Sequence, residues 1–195
     1  MGSRTVGRPR EFDEQRVLDS AMDAFWRKGY EATSLSDLCA CTGLNKGSLY
    51  QSFGDKHSLF MRALEHYADT ELRQIAAVAF EQDSPIENIC AVMHSVVNHT
   101  SNDAGCMMIN SLVELAPHDA DVLAFLQRLR DQRMRMMTDL VDKAQRAQEI
   151  TASEPAEDIA VRLMVTLAGL ATAVKGFMDV EQAHRVVDGA VAALR

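Results

Sequence analysis

Four consecutive residues, Asn45-Lys46-Gly47-Ser48, have the side chains expected at a phosphate-binding helix start. Asparagine is a preferred N-cap residue, and the amides and positive dipole end of a helix N-terminus attract anions. Lys46 adds a positive charge, and Gly47 would let a phosphate backbone approach closely. This segment therefore predicts a contact with a polyanion.

The elements around this segment form a helix, a glycine turn and a second helix across residues 34–53. Ser34 with Asp37 three residues later is close to a capping box, and Gly43 ends the first helix after about two turns. Such a pair is typical of a helix-turn-helix, whose second helix can enter the major groove of DNA. Spacing alone leaves an ordinary helical hairpin open as the alternative.

The remainder of the chain also has helical periodicity, and no segment alternates as a strand would. We expect a first helix from near Asp13 to Lys28, a fourth from about residue 56 to 80, and five more over residues 86–100, 106–115, 120–149, 155–177 and 180–194. The predicted fold class is all-α, with about nine helices. Residues 1–58 would form a helix-turn-helix domain with a basic arm, and residues 59–195 a helical regulatory and dimerisation domain.

Composition excludes several classes of protein. The 195 residues are 47% hydrophobic, but no apolar run approaches the roughly 20 residues of a membrane span, and no leader is visible. We therefore expect a cytoplasmic protein without membrane contact, whose four cysteines are free thiols. The net charge of −8 belongs entirely to residues 61–195, because acidic and basic side chains balance in the first 60.

Known catalytic patterns are not recognisable in the sequence. There is no triad order and no phosphate-cradling glycine loop, and His94 and His99, five residues apart, do not share a helix face. We therefore expect no enzyme activity, no cofactor and no metal site.

The order of residue types in the first 60 residues is more informative about function than the spacing of the helices. The segments 30–38 (YEATSLSDL), 42–53 (TGLNKGSLYQSF) and 55–59 (DKHSL) closely resemble the DNA-binding domain of the tetracycline-repressor (TetR) family. The match spans about 60 residues. The departures are Asn45 in place of the usual serine cap, Cys39 and Cys41 where alanine is usual, and His57 in place of the usual glutamate.

The resemblance implies DNA contacts from the N-terminal arm, the starts of the second and fourth helices and the third helix: Arg8, Arg10, Thr33, Ser34, Asn45, Lys46, Gly47, Ser48, Tyr50, Gln51 and Lys56. Thr33 and Ser34 would offer hydroxyl groups to phosphate. Lys46 and Tyr50 would contact phosphate, and Lys56 would lie near the DNA backbone. Ser48 and Gln51 are candidates for base edges, because glutamine can pair with adenine through two hydrogen bonds. The arm, which also includes Arg4, is alternatively a disordered tail.

The resemblance further implies a homodimer through the last two helices and a small-molecule effector bound in the C-terminal body. Methionine is a pliable lining for an apolar pocket, although it is equally a core residue. Gly105-Cys106, with Lys175 in a later helix, looks like a TetR subgroup of which some members sense electrophiles or oxidants through this cysteine. A helix N-terminus would lower the pKa of the Cys106 thiol. The effector candidates are Cys106, Met107, Met137 and Lys175, each with a structural role as the alternative.

These observations predict a ligand-responsive transcriptional regulator, a repressor that binds a palindromic double-stranded DNA operator as a homodimer. A small ligand, or a reactive electrophile or oxidant, would release it. The alternative is an all-α ligand-binding domain or small enzyme with a vestigial helix-turn-helix.

Overall fold

The computed structural model describes residues 13–100 and 104–195, and this part of the chain is all-helical. It contains nine helices: α1 (Glu14–Lys28), α2 (Leu35–Thr42), α3 (Lys46–Phe53), α4 (Lys56–Val78), α5 (Pro85–Thr100), α6 (Met107–Glu114), α7 (Ala120–Arg146), α8 (Ala156–Ala173) and α9 (Val180–Ala192). The predicted fold class is confirmed. None of these helices is long and apolar enough to cross a membrane.

Local capping determines where the N-terminal helices begin and end. Asp13 caps α1 by accepting hydrogen bonds from two first-turn amides, and Gly29 ends it with a φ of 83°. Gly43 ends α2 in the left-handed conformation, with a φ of 71°, which glycine adopts without the penalty paid by other residues. Asp55 caps α4 through the amide of Ser58. The sequence located these boundaries because each depends on neighbouring residues alone.

The later helices end earlier than their periodicity suggests. Helix α7 stops at Arg146 rather than at 149, because Gln148 is left-handed, with a φ of 59°. Helix α8 stops at Ala173 rather than at 177, where the amides of Gly176, Phe177 and Met178 all turn back to the Ala173 carbonyl. Both predicted ends were wrong because tight turns cap these helices without a proline or glycine at the stop.

The hydrophobic core has two clusters. One joins α1–α4 to α6 and the first half of α7, and it includes Phe25, Trp26, Tyr67 and Met107. The other joins the second half of α4 with α5, α7, α8 and α9. The core of the helix-turn-helix therefore continues into α6 and α7 beyond residue 58, and the division into domains at that residue stays a prediction.

Candidate functional site

Helix α2 is fixed at its start by a complete capping box. The Ser34 hydroxyl accepts a hydrogen bond from the Asp37 amide at 3.1 Å, and the Asp37 carboxylate accepts the Ser34 amide at 2.8 Å. The ammonium group of Lys28, 2.7 Å away, and the Ser34 hydroxyl hold the pKa of the Asp37 carboxyl well below its usual range. This cluster ties the end of α1 to the start of α2 and so sets the angle of the helix pair.

The hydroxyl groups of Thr33 and Ser34 have partners inside the protein. Thr33 is fully buried, and its Oγ1 donates to the Gly29 carbonyl at 2.6 Å. The Ser34 Oγ donates to Asp37 Oδ2 at 2.6 Å. Thr33 therefore closes the end of α1, and its phosphate contact stays a prediction that its burial does not favour. Ser34 remains exposed, but its hydroxyl hydrogen is already used.

Helix α3 presents its polar side to solvent. Asn45 Oδ1 accepts the Ser48 amide at 2.9 Å, as predicted for an N-cap, and Leu49 and Phe53 are buried against the domain. Three of the predicted DNA-contacting side chains, Lys46, Tyr50 and Gln51, are exposed, while Ser48 is half-buried. The helix carries one cation and no carboxylate, so its outer face suits a negatively charged partner.

The backbone at the start of α3 is open on its outer side. A Cβ added to Gly47 would meet Asn45 Oδ1 at 3.3 Å as its nearest contact. The ammonium group of Lys46 lies 5.6 Å from the centroid of the Tyr50 ring, within the range of a cation–π contact. Lys46 and Tyr50 thus form one basic, aromatic surface beside an accessible backbone.

Lys56 lies at the first position of α4, where its ammonium group is 4.2 Å from the centroid of the Tyr30 ring. It is half-buried, so the stacked ring limits its movement. Arg8 and Arg10, the predicted contacts of the arm, lie outside the described residues, as does Arg4. The structure therefore brings the α3 residues together and places Lys56 at the start of the next helix.

Helix α6 connects the reading head, defined as α1–α3, to the body. At its start, the indole Nε1 of Trp26 donates to the Gly105 carbonyl at 2.9 Å in a buried site. At its end, Glu114 accepts the amides of Tyr30 at 3.1 Å and Glu31 at 2.8 Å. A carboxylate bonded to two amides forms strong charge-assisted hydrogen bonds. Sequence reasoning missed both contacts because their partners are 79 to 84 residues apart.

Gly105 is required by its surroundings. Its φ is +70°, and a Cβ there would lie 2.6 Å from Lys175 Cγ and 2.8 Å from the Ala171 carbonyl oxygen. Lys175 is exposed and donates to Asn110 Oδ1 at 3.0 Å, and Asn110 in turn donates to the Ala104 carbonyl at 2.9 Å. Lys175 therefore braces the turn before α6, and its role as an effector contact stays a prediction.

A small cavity of about 70 Å³ lies between α4, α5, α6, α7 and α8. Its lining is mostly apolar and includes Met137, one of the predicted effector residues, and Cys106. Met107 packs in the core with the reading head and is not among the cavity-lining residues, so its role as an effector contact stays a prediction. At one side of the cavity Glu71, 1% exposed, pairs with Arg133.

The Glu71–Arg133 pair leaves one polar atom unused. Glu71 Oε2 accepts the guanidinium group, whereas Oε1 is buried and has no hydrogen-bond partner among the described residues. An unpaired buried acceptor costs about 1–3 kcal/mol. Neither residue was singled out in the sequence, where each lies among other charged residues of a long helix.

Cys106 is the N-cap of α6, as its position predicted, but it is buried. Burial, followed by the nearby Glu71 carboxylate, raises the pKa of its thiol. The predicted lowering of this pKa was therefore wrong, because loss of solvation outweighs the helix dipole at this depth. The neutral thiol is a weak nucleophile.

A larger groove of about 680 Å³ runs along α6, α7 and α8. It shares four lining residues with the cavity: Ile109, Arg133, Met164 and Ala168. The two spaces are therefore neighbours that share these side chains.

Comparison with known proteins gives consistent results. The family model of bacterial regulatory proteins of the tetR family matches residues 17–63, and that of a tetracyclin repressor-like C-terminal domain matches residues 84–190. The chain is 34% identical over 151 residues to the HTH-type transcriptional repressor ComR of Escherichia coli (strain K12), which covers 75% of this chain and 72% of ComR. It is 29% identical over 155 residues to the HTH-type transcriptional repressor BdcR of the same organism, covering 71% and 78% of the two chains.

Solved structures agree with these matches. A cysteine mutant of the TetR family transcriptional regulator CifR, complexed with 26-base-pair operator DNA, has a TM-score of 0.85 and 28% identity, covering 97% of this chain and 100% of that one. A TetR transcriptional regulator from Chloroflexus aurantiacus has a TM-score of 0.83 at 20% identity, over 91% of each chain, and shares the fold.

Proposed function

The chain belongs to the TetR family of bacterial regulatory proteins, and we propose that it represses transcription by binding operator DNA through α3. The observation that carries this proposal is the exposed face of α3, on which Lys46, Tyr50 and Gln51 surround an accessible backbone. The similar regulator CifR is complexed with operator DNA, which supports the same mode here. Because that target is chromosomal, the protein would act in the cytoplasm.

Phosphate and base contacts have separate roles in this proposal. Lys46 and Tyr50 would bind phosphates, which positions α3 without reading sequence. Gln51 would contact a base edge, where one good bidentate pair contributes about 1–3 kcal/mol of discrimination. The net charge of −8 does not oppose this arrangement, because screening limits the effect of the distant acidic body to about 8–10 Å.

The test begins with selection of bound duplexes from a random pool at near-physiological salt, where a palindromic motif is expected. On that motif, Lys46→Ala should weaken binding and reduce its salt dependence, because one fewer counterion is released. Lys143→Ala is the matched control, since Lys143 lies similarly over an aromatic ring, Phe80, but in the body. Recovery of no motif would favour the alternative of a ligand-binding or enzymatic domain with a vestigial helix-turn-helix.

We further propose that two copies associate through α8 and α9. Apolar side chains remain exposed on these helices in the single chain: Val161 and Val165 on α8, and Val186 on α9. A two-fold dimer would present two reading heads to half-sites about 34–36 Å apart. Because Val161 and Val165 also line the groove along α6, α7 and α8, the test uses α9. In sedimentation measurements Val186→Glu should dissociate the dimer, whereas Val113→Glu, at a more exposed valine of α6, should leave it intact.

We propose the cavity and the adjoining groove as the effector site. A cavity of about 70 Å³ is smaller than the roughly 300–1,000 Å³ of drug-sized sites, whereas the groove of about 680 Å³ falls within that range. A largely apolar molecule with one hydroxyl group in the groove could displace Arg133 and donate a hydrogen bond from that hydroxyl to Glu71 Oε1. Reversible binding of this kind fits the buried, protonated Cys106 better than thiolate chemistry does.

The two modes of release can be separated. If an electrophile acts through Cys106, Cys106→Ser should abolish release of DNA by a mild alkylating agent and leave release by apolar alcohols unchanged. If reversible binding is the mechanism, both proteins should respond alike to the alcohols, and their potency should fall when the hydroxyl donor is replaced by a methyl ether. No catalytic residue is needed for either mode, and we infer that the protein acts by binding.

A further inference from the structure

Two pairs of metal-ligating residues face each other across the contact between α5 and α9. Cys90 and His94 are four residues apart on α5, and His184 and Asp188 are four residues apart on α9. Residues at this spacing share one helix face. The sequence predicted no metal site because Cys39 and Cys41, two residues apart, diverge on a helix and no His/Cys pair lies at zinc-finger spacing. The structure supplies the partners of His94 from α9.

The potential ligand atoms converge. His94 Nε2 lies 2.9 Å from Asp188 Oδ1, and Cys90 Sγ lies 4.0 Å from the same oxygen. The ligand atoms of Cys90, His94 and Asp188 all lie within 4.8 Å of one another. Ligand atoms around a tetrahedral zinc ion, with bonds of about 2.0–2.3 Å, are separated by roughly 3.3–3.8 Å, so small side-chain adjustments would complete this geometry.

Hydrogen bonding directs the His94 Nε2 lone pair toward this point. His184 Nε2 lies 3.0 Å from Asn98 Oδ1 and donates to it. In neutral His184, Nδ1 is then an acceptor, and it lies 2.5 Å from His94 Nδ1, which must donate. With this set of tautomers the lone pair on Nε2 of neutral His94 faces the Asp188 carboxylate, where a metal ion would contact both atoms.

We propose that Cys90, His94 and Asp188 bind a divalent transition-metal ion of the zinc class, with His184 as the residue that orients His94. One thiolate, one imidazole and one carboxylate are the ligand types of such ions, whereas calcium and magnesium prefer oxygen ligands alone. A ligating histidine almost always donates a hydrogen bond from its other nitrogen to a second residue, and His184 Nδ1, 2.5 Å from His94 Nδ1, is placed to accept it. The Asp188 side chain is 62% exposed, so an ion can enter from solvent.

A bound ion would join α9 to α5 and hold the C-terminal helix in place. It would do so independently of DNA and of the effector cavity, because none of its ligands lines that cavity. The proposed metal site is therefore independent of the proposed repressor function, and metal binding can be measured without operator DNA.

The test uses the full-length protein, stripped of metal and reduced, titrated with Co²⁺. We expect one Co²⁺ per chain with a thiolate-to-cobalt charge-transfer band, displaced by one equivalent of Zn²⁺, and a rise in melting temperature with Zn²⁺. Cys90→Ser should abolish the band, and His94→Gln should weaken binding at least tenfold. His184→Leu should weaken binding by about 10–100-fold, as removal of an orienting partner does.

Cys41→Ser is the control, because it removes an exposed thiol of α2 and should leave the band unchanged. Folded wild-type protein that binds no Co²⁺ or Zn²⁺ would overturn the proposal and leave a proton between His94 and Asp188. Binding by Cys90→Ser with wild-type affinity and spectrum would also overturn it. Cys90→Ser and His94→Gln retain polar side chains at partly exposed positions, so we expect both variants to fold. Circular dichroism can establish that they do.

Discussion

Substitution of Arg133 by methionine tests how the cavity's charged side is held. The change leaves the Glu71 carboxylate, 1% exposed, without its ion-pair partner. Because Oε1 already lacks a hydrogen bond, the variant has an uncompensated buried charge. Breaking a buried pair in this way costs about 3–5 kcal/mol, and we expect the free energy of unfolding to fall by that amount.

The converse substitution should cost less. In Glu71→Leu the unpaired Arg133 lines the groove as well as the cavity, so its guanidinium group can turn toward water, and we expect a loss of about 1–2 kcal/mol. The double variant has neither charge and an apolar cavity, and replacing a buried pair by packed apolar residues is often neutral or stabilising. The two substitutions should therefore be strongly non-additive, with a coupling energy of about 3 kcal/mol or more.

Urea unfolding followed by the fluorescence of Trp26, the single tryptophan, measures all four proteins. Protein concentration must be matched, because association contributes to apparent stability. Arg130→Met is the control, since Arg130 on the same helix pairs with Asp131 at the surface, and an exposed pair contributes about 0–1 kcal/mol. A loss below about 1 kcal/mol in Arg133→Met, or additive effects, would refute the description of Glu71 as a desolvated charge.

Three further predictions concern the junction with the reading head. Gly105→Ala should lower the free energy of unfolding in urea by roughly 2–4 kcal/mol, because the added Cβ would lie 2.6 Å from Lys175 Cγ. In the control, Gly43→Ala, the backbone is also left-handed but the added Cβ would have nothing within 4 Å, so the loss should be only about 1–2 kcal/mol. Burial lowers the pKa of His99, so stability should fall as the pH drops below about 6.5, where the unfolded state takes up the proton first, and His99→Phe should flatten this decline. Glu114→Ala should lower the free energy of unfolding by about 2 kcal/mol and accelerate hydrogen exchange at the amides of Tyr30 and Glu31. Unchanged exchange at these amides would contradict the role of α6 as a link to the reading head.

The helix-turn-helix could be predicted because its determinants are local. Ser34 with Asp37, Asn45 and Gly43 each act on backbone groups within three or four residues, and such short-range preferences can be read from the sequence. The exposed face of α3 follows from the same reasoning, since Leu49 and Phe53 must point inward. The partner of the Thr33 hydroxyl, the Gly29 carbonyl at the end of the preceding helix, was not predicted from the sequence.

The cavity could not be predicted because its chemistry joins distant parts of the chain. Glu71 and Arg133 are 62 residues apart. The same holds outside the cavity for His94 and Asp188, which are 94 residues apart. Cys106 shows the limit of a local rule: its N-cap position was correct, but the pKa depends on how deeply tertiary packing buries the thiol. Sequence periodicity identifies which helices exist, whereas the depth of a given side chain depends on how they pack.

The position of α6 explains how an effector could act on DNA binding. Ile109 and Cys106 line the cavity, while the turn before α6 and its last residue are bonded to α1 and to the segment after it. A ligand larger than the cavity must displace part of this lining. The same helix, α6, carries both the lining side chains and the contacts to the reading head, so a shift of one affects the other. Allosteric coupling typically amounts to about 1–3 kcal/mol, which one or two of these hydrogen bonds can supply. We therefore expect ligand binding to weaken the Trp26 or Glu114 contacts, and so to loosen the attachment of the reading head to the body without unfolding any helix.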